Sequence, residues 1–137
     1  MTLMVRVLAP DRVILDQAAE ELVLPSTTGQ LGILTDHAPL MTALDYGVLR
    51  YRVQNHWSAI AVLGGFAEIE ENEVTVLVNE AEMGDTIDPE QAQKEFTEAE
   101  AHYQQVANGN PDPLVKMQAE RALKRARARL QATTKLE

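Results

Sequence analysis

The stretch Val74-Thr75-Val76-Leu77-Val78-Asn79-Glu80-Ala81-Glu82-Met83-Gly84-Asp85-Thr86-Ile87-Asp88-Pro89-Glu90-Gln91-Ala92 contains a change of period. Val74–Val78 is a β-branched run suited to a pleated, half-buried surface, and Ala81–Met83 reads as one more short strand. Gly84 marks a boundary. Beyond it, Asp88 has the side chain of an N-cap, Pro89 suits the first helical position, and Gln91 stands where a capping-box partner belongs. A strand module therefore ends near Gly84 and a helical module begins at residue 85.

Towards the N-terminus the pattern stays at period two or in short apolar runs broken by turn residues, which predicts an antiparallel sandwich. Leu3–Leu8 stops at Pro10-Asp11, Arg12–Asp16 follows, and Glu20–Leu24 stops at Pro25. Leu40–Leu44 ends at Asp45-Tyr46-Gly47, and Val48–Val53 alternates apolar and basic residues, with Arg50 and Arg52 on one face. Gln54-Asn55 reads as a hairpin turn into Trp57–Leu63; Phe66–Glu70 follows Gly64-Gly65 and turns at Glu71-Asn72 into Val74–Val78. Eight to ten short strands are expected. Between them, the stretch from Gly29 to Met41 departs from the pattern, because two glycines sit among apolar residues and His37-Ala38-Pro39 is biased away from helix. It is expected to be an exposed, shaped loop.

Towards the C-terminus, Ala92, Phe96, Ala99, Tyr103 and Val106 recur at spacings of four and three, one apolar helical stripe. Asn108-Gly109-Asn110-Pro111 ends that helix, Asp112-Pro113 repeats the cap-plus-proline start, and Val115, Ala119, Ala122 and Ala126 form the stripe of a second helix running to about Gln131. The short connection makes an antiparallel hairpin. A mostly alanine stripe buries little, since each buried CH₂ is worth about 0.8 kcal/mol. The hairpin is expected to be a weakly docked tail. The fold class is thus α+β, a β-sandwich over residues 1–84 and a two-helix module over 85–137.

The 137 residues suffice for a core, and 45% apolar with 24% charged residues is a globular composition. No cysteine is present, which removes disulfides, thiolate metal sites and a cysteine nucleophile. No apolar run approaches the ~20 residues of a membrane span, and the N-terminus lacks a signal-like pattern, so a soluble, untargeted chain is expected. The net charge of −9 opposes nucleic-acid binding. Its distribution is uneven: residues 1–84 hold four basic and twelve acidic groups, whereas residues 114–137 hold seven basic and two acidic. Lys116, Arg121, Lys124, Arg125, Arg127 and Arg129 fall on the second helix, where Arg125 and Arg129 share a face able to clasp an anionic ligand or an acidic partner helix.

Catalytic constellations do not emerge. His37, His56 and His102 lack ligand-like spacing, Ser26 and Ser58 lack a nucleophile-elbow context, and Gly64-Gly65 is followed by neither the lysine nor the helix of a phosphate loop. Glu68, Glu70, Glu71 and Glu73 straddle a turn, where solvated carboxylates belong. Neither an enzyme nor a metal site is expected.

Several segments, in order and over nearly the whole chain, resemble the epsilon subunit of F-type ATP synthases, in its cyanobacterial and chloroplast form. They are Gly29–Leu34 with His37-Ala38-Pro39, Gly47-Val48-Leu49-Arg50, Gly64-Gly65-Phe66-Ala67, Val74–Val78, Ile87-Asp88-Pro89 and Ala122-Leu123-Lys124-Arg125-Ala126. The resemblance implies a ten-stranded sandwich and helical pair in a non-catalytic rotor subunit, bound to the gamma subunit and the ring of c subunits on the cytoplasmic or stromal side of a thylakoid membrane. By the same resemblance Gln30, Leu31, Ile33, Leu34 and His37 are the ring-contacting residues and Pro39, Leu40, Met41 and Thr42 meet gamma. The helical tail would leave the sandwich and suppress ATP hydrolysis, with Arg121, Lys124, Arg125, Arg127 and Arg129 meeting the alpha/beta catalytic head. Some members bind ATP through an Ile-Asp-x-x-Arg-Ala motif and second-helix arginines. Ile87, Asp88, Ala92, Arg125 and Arg129 match, but Gln91 replaces the motif's arginine, which implies weak or absent ATP binding and no cofactor. The alternative reading is a free-standing nucleotide-sensing or nucleic-acid-binding module built on the arginine helix.

Overall fold

A computed structural model describes residues 2–134. The strands are β1 (Leu3–Ala9), β2 (Arg12–Ala19), β3 (Glu21–Ser26), β4 (Gly29–Ile33), β5 (Leu40–Val53), β6 (His56–Glu70), β7 (Glu73–Val78) and β8 (Ala81–Met83). A single 3₁₀ turn, Gly84–Thr86, leads to α1 (Pro89–Asn108) and α2 (Pro113–Ala132). Met1 and residues 135–137, the end of the helical module, lie outside the described residues.

Eight strands form, the low end of the range read from the pattern and two fewer than the resemblance implies, and the reason lies in β5 and β6. Each runs through what the sequence divides in two, β5 across Asp45-Tyr46-Gly47 and β6 across Gly64-Gly65, and their antiparallel register stays unbroken from Leu40↔Ile69 to Val53↔His56. Gly64 and Gly65 take φ of +79° and +154°, conformations that suit glycine, so the sheet bends there without ending. The result is two layers of five strands that share β5 and β6. One layer is β2-β1-β7 with the Phe66–Glu70 half of β6 and the Leu40–Leu44 half of β5; the other is β4-β3 with the remaining halves of β5 and β6, closed by β8.

The pairing is also not wholly antiparallel, because β1 runs parallel to β7, with Val5 beside Val74 and Val7 beside Val76. A period of two reveals that a segment is a strand but carries no information about direction. Inward-facing residues of both layers form one core: Leu3, Val5, Val7, Ile69, Val74 and Val76 from the first, Leu22, Leu24, Ile33, Leu49, Ile60 and Val62 from the second. The two hairpin turns read from the sequence are present. Gln54-Asn55 and Glu71-Asn72 both take positive φ at their two central residues, the type I′ geometry that matches strand twist.

The stretch Gly29–Met41 is less of a loop than expected. Gly29–Ile33 is paired as β4 along β3, from Ser26↔Gly29 to Leu22↔Ile33, which leaves only residues 34–39 irregular. Hydrogen bonds from a neighbouring strand overrode a poor local pattern.

Both helices start where capping chemistry places them. The Asp88 carboxylate accepts from the Glu90 backbone N–H, and that of Asp112 accepts from Leu114. The capping box does not form, since Gln91 donates to Glu95 one turn on. The α1 stripe is correct, with Ala92 buried and Phe96, Ala99, Tyr103 and Val106 half-buried. That of α2 is shifted: Ala119, Leu123, Ala126, Ala128 and Ala132 are buried, while Val115 and Ala122 are exposed. The helix has two neighbours, α1 on one side and the sandwich on the other, so its buried surface is broader than one stripe and its first turns reach solvent.

Candidate functional site: two outer faces and a charged clasp

The sandwich has two outer faces, and α2 covers one of them. It lies on the second layer, against β5 and β6, and α1 packs on α2 from outside. Val48, Ala59 and Ala61 project from the sheet into a small second core with Ile87, Ala92, Leu130 and Ala132. Around this apolar centre sits a ring of charge. Arg125 makes a two-pronged pair with Glu80, both bonds 2.8 Å; Arg129 grips Glu82 at 3.0 and 3.2 Å and also pairs with Glu95 of α1; Lys124 reaches Asp45 at 3.5 Å. The hydrogen bond to Arg125 holds the Glu80 carboxyl below its ordinary pKa and raises that of Arg125. Arg129 is likewise raised, chiefly by its bond to Glu82. At the far end, Arg50 of β5 donates from its two terminal nitrogens to the backbone carbonyls of Gln131 and Thr134, each at 3.1 Å, and burial lowers its pKa.

The sequence-derived cationic cluster therefore divides. Lys124, Arg125 and Arg129 are engaged with carboxylates of the same chain, while Arg121 and Arg127 are exposed and, among the described residues, form no ion pair. Of the ATP-motif positions, Asp88 serves as the cap of α1, Gln91 is turned toward Glu95, and both arginines are already satisfied.

The other outer face, on the first layer, was not visible in the sequence. Cross-strand register aligns Val13, Leu8, Leu77, Phe66 and Ala43 in one row over β2, β1, β7, β6 and β5. Val13 is 62% exposed, Leu77 51% and Phe66 37%, and Met41 in the adjoining row is 63% exposed. Neighbouring rows are polar, with Arg6 paired to Asp16 at 3.7 Å and Glu68 opposite Met41. The row is thus an exposed apolar patch with a polar margin, a feature that needs a partner to cover it more than the fold does. Each of its members looks like an ordinary outward-facing residue in its own strand, so only the register could have revealed it.

The segment around His37 lies at an end of the sandwich. Gln30 and Leu34 are exposed, Leu31 and His37 are half-buried, and Ile33 is fully buried in the core. The expected ring contact through Ile33 is thus corrected: β4 pairing turns its side chain inward, and it can act only by supporting its neighbours. Asp36, at φ +66°, is tied to the β6–β7 turn, its N–H donating to Asn72 Oδ1 at 2.6 Å and its carboxylate accepting from Asn72 Nδ2 at 3.2 Å. His37 Nδ1 lies 2.7 Å from the Ala38 carbonyl, which only accepts, so that hydrogen bond needs the imidazole proton on Nδ1. Pro39 and Met41 are exposed, Leu40 and Thr42 half-buried. Met41 joins this segment to the apolar row.

The family models that match describe the ATP synthase delta/epsilon chain, its β-sandwich domain over residues 2–84 and its long α-helix domain over residues 85–134. The chain belongs to the ATP synthase delta/epsilon family. It is similar to ATP synthase epsilon chains of Synechococcus elongatus, 60% identical over 132 residues covering 96% of this chain and 95% of the relative, and of Nostoc punctiforme, 59% identical over 134 residues covering 96% of each. Within this family it is an epsilon-type, non-catalytic chain. Its fold is shared by a chain in the Euglena gracilis mitochondrial ATP synthase, solved with its c-ring, at a TM-score of 0.81 and 24% identity, covering 97% of this chain and 82% of that one. A chain in the central stalk and c-ring structure of the Tetrahymena thermophila enzyme follows at 0.63 and 17%, with 98% of both chains covered. No described helix is long and apolar enough to cross a membrane.

Proposed function

We propose that this chain is a rotor subunit of the central stalk of a proton-driven ATP synthase at a thylakoid membrane, with each outer face serving a different task. The observation that carries the reading is the open apolar row, which continues through Met41 into the Pro39–Thr42 segment. The gamma subunit docks there. Gln30, near the start of β4, and Leu34 and His37, at the tied loop, meet the c ring, with Leu31 and buried Ile33 holding them in place. A segment pinned by Asp36 and Asn72 suits a contact that must transmit torque without yielding.

The covered face carries the helical tail, which leaves it to suppress ATP hydrolysis. Arg121 and Arg127 are available to the alpha/beta head at once, and Lys124, Arg125 and Arg129 become available on release from Asp45, Glu80, Glu82 and Glu95. ATP binds the docked form weakly or not at all, because Gln91 supplies no guanidinium and phosphate would have to displace carboxylates from both arginines. The same pairings weigh against a free-standing module that grips nucleic acid through the arginine helix.

The test compares ATP hydrolysis by the assembled complex containing the full chain with one containing a chain ending at Gly84. The shortened chain should still co-purify with gamma and the c ring, and hydrolysis should rise several-fold. Equal rates would remove the brake from this account, and failure to recover gamma would remove the rotor.

A further inference from the structure

Gly84 is buried in the 3₁₀ turn that joins the two modules. Its φ lies outside the left-handed range, so its backbone asks nothing that alanine could not give. What it lacks is room. A Cβ built there would stand 2.2 Å from the Ala132 carbonyl oxygen and 3.0 Å from that of Ala59. Both are backbone atoms and cannot swing aside as a flexible side chain would. The close approach brings the last turn of α2 against the sheet, where Arg50 takes its carbonyls.

A helix end leaves its final carbonyls without partners and carries partial negative charge. Arg50 meets that charge from across the interface, bonding the carbonyl of Gln131, which also accepts from the Thr134 N–H at 3.1 Å, and the carbonyl of Thr134, two residues past the end of α2. Beside it, a cavity of about 340 Å³ is lined by Arg50, Trp57, Asp85, Ala132 and Thr133, among others. Trp57 is the chain's one tryptophan.

We propose that Gly84 and Arg50 form a seat for the C-terminal end of α2, and that this seat, more than the exposed ion pairs of Arg125 and Lys124, sets how often the tail undocks. Arg125 and Glu80 are about half exposed, as are Lys124 and Asp45, where solvent and salt screen the pairing. At the seat, the steric fit at buried Gly84 owes nothing to charge and is not dissolved by salt, and the Arg50 cap, whose acceptors Gln131 and Thr134 are exposed, adds direction to it. Gly84 and Arg50 are positioning residues for the tail. The inference deepens the brake reading by naming what regulates it, yet docking can be measured on the full chain by itself.

The experiment follows backbone amide exchange and Trp57 emission in the full-length chain and three variants. Gly84→Ala should raise exchange over residues 123–132 at least about tenfold and shift Trp57 emission to the red, while Ile60 and Val62 keep their protection. Arg50→Gln removes the cap without adding volume and should raise the same amides by about threefold to tenfold. Arg125→Gln, the comparator, should change them by less than about twofold. The proposal is overturned if Gly84→Ala and Arg50→Gln both leave α2 protection within about twofold of the parent, or if Arg125→Gln releases the tail more than either. Should Gly84→Ala also loosen the sandwich amides, Arg50→Gln alone decides. In the assembled complex, a variant that frees the tail should slow ATP hydrolysis; a freed tail with unchanged hydrolysis would leave the seat standing and overturn the brake.

Discussion

On one side of the sandwich, Val48, Ala59 and Ala61 lie beneath α2, and on the other Val13, Leu77 and Phe66 lie open to solvent. The covered face is alanine-rich, with Ala59 and Ala61 of the sheet meeting Ala92 and Ala132 and only Val48, Ile87 and Leu130 adding larger side chains, inside a ring of partly exposed ion pairs. The open face presents larger side chains in one row, and fully burying a Val, Leu or Phe is worth about 1.5–3 kcal/mol each. A small, alanine-rich contact ringed by solvated charges is suited to forming and breaking; a row of larger apolar residues is suited to staying closed once a partner arrives. On the function we propose, the difference separates attachment from regulation within one sandwich.

The strongest way to break the comparison is to damage what both faces share. Ile33→Ala empties part of the common core and should lower stability by about 2–4 kcal/mol, seen in denaturant unfolding, with partner binding and tail docking lost together. Leu77→Glu attacks only the open face. It should weaken association with gamma by about thirtyfold or more in a binding titration, while the melting temperature of the free chain stays put, because Leu77 is already half exposed. If it unfolds the chain instead, the row belongs to the fold and not to an interface.

Smaller effects sharpen the other side. Arg129→Gln removes a guanidinium shared by Glu82 and Glu95, with only 19% of its side chain exposed, and should shift the docking equilibrium by about 1 kcal/mol in amide exchange without touching gamma affinity. Acid should act least. The docked Glu80 carboxyl sits below its ordinary pKa, so its contribution is fully present above the free carboxylate value of about 4.3 and fades as pH falls through the lower docked value. Exchange of α2 should therefore quicken below about pH 4, by a few tenths of a kcal/mol for this pair, and Glu80→Gln should remove that part of the pH dependence.

Ile33 and Leu34 show how far the site was legible in the chain. Both are apolar neighbours in one motif and both were expected at the ring; pairing with Leu22 sends Ile33 into the core, and Leu34, just past the end of β4, stays 55% exposed. The motif located the segment, but strand register decided which side chain it offers. Arg125 and Arg129 were legible as a basic face of α2, whereas Glu80 and Glu82, some 45 residues earlier, drew no notice as their partners.

The sequence by itself determined the local elements: the two-module order, the I′ turns at Gln54-Asn55 and Glu71-Asn72, the caps at Asp88 and Asp112, and the stripe of α1. Each rests on interactions spanning a few residues, where spacing and side-chain type fix the outcome. Tertiary structure alone decided that β5 and β6 bend through both layers, that β1 lies parallel to β7, that five strands align one apolar row, and that Gly84 meets the end of α2. Those features depend on the register between segments distant in the chain, and a one-residue slip would exchange the faces without altering any local pattern.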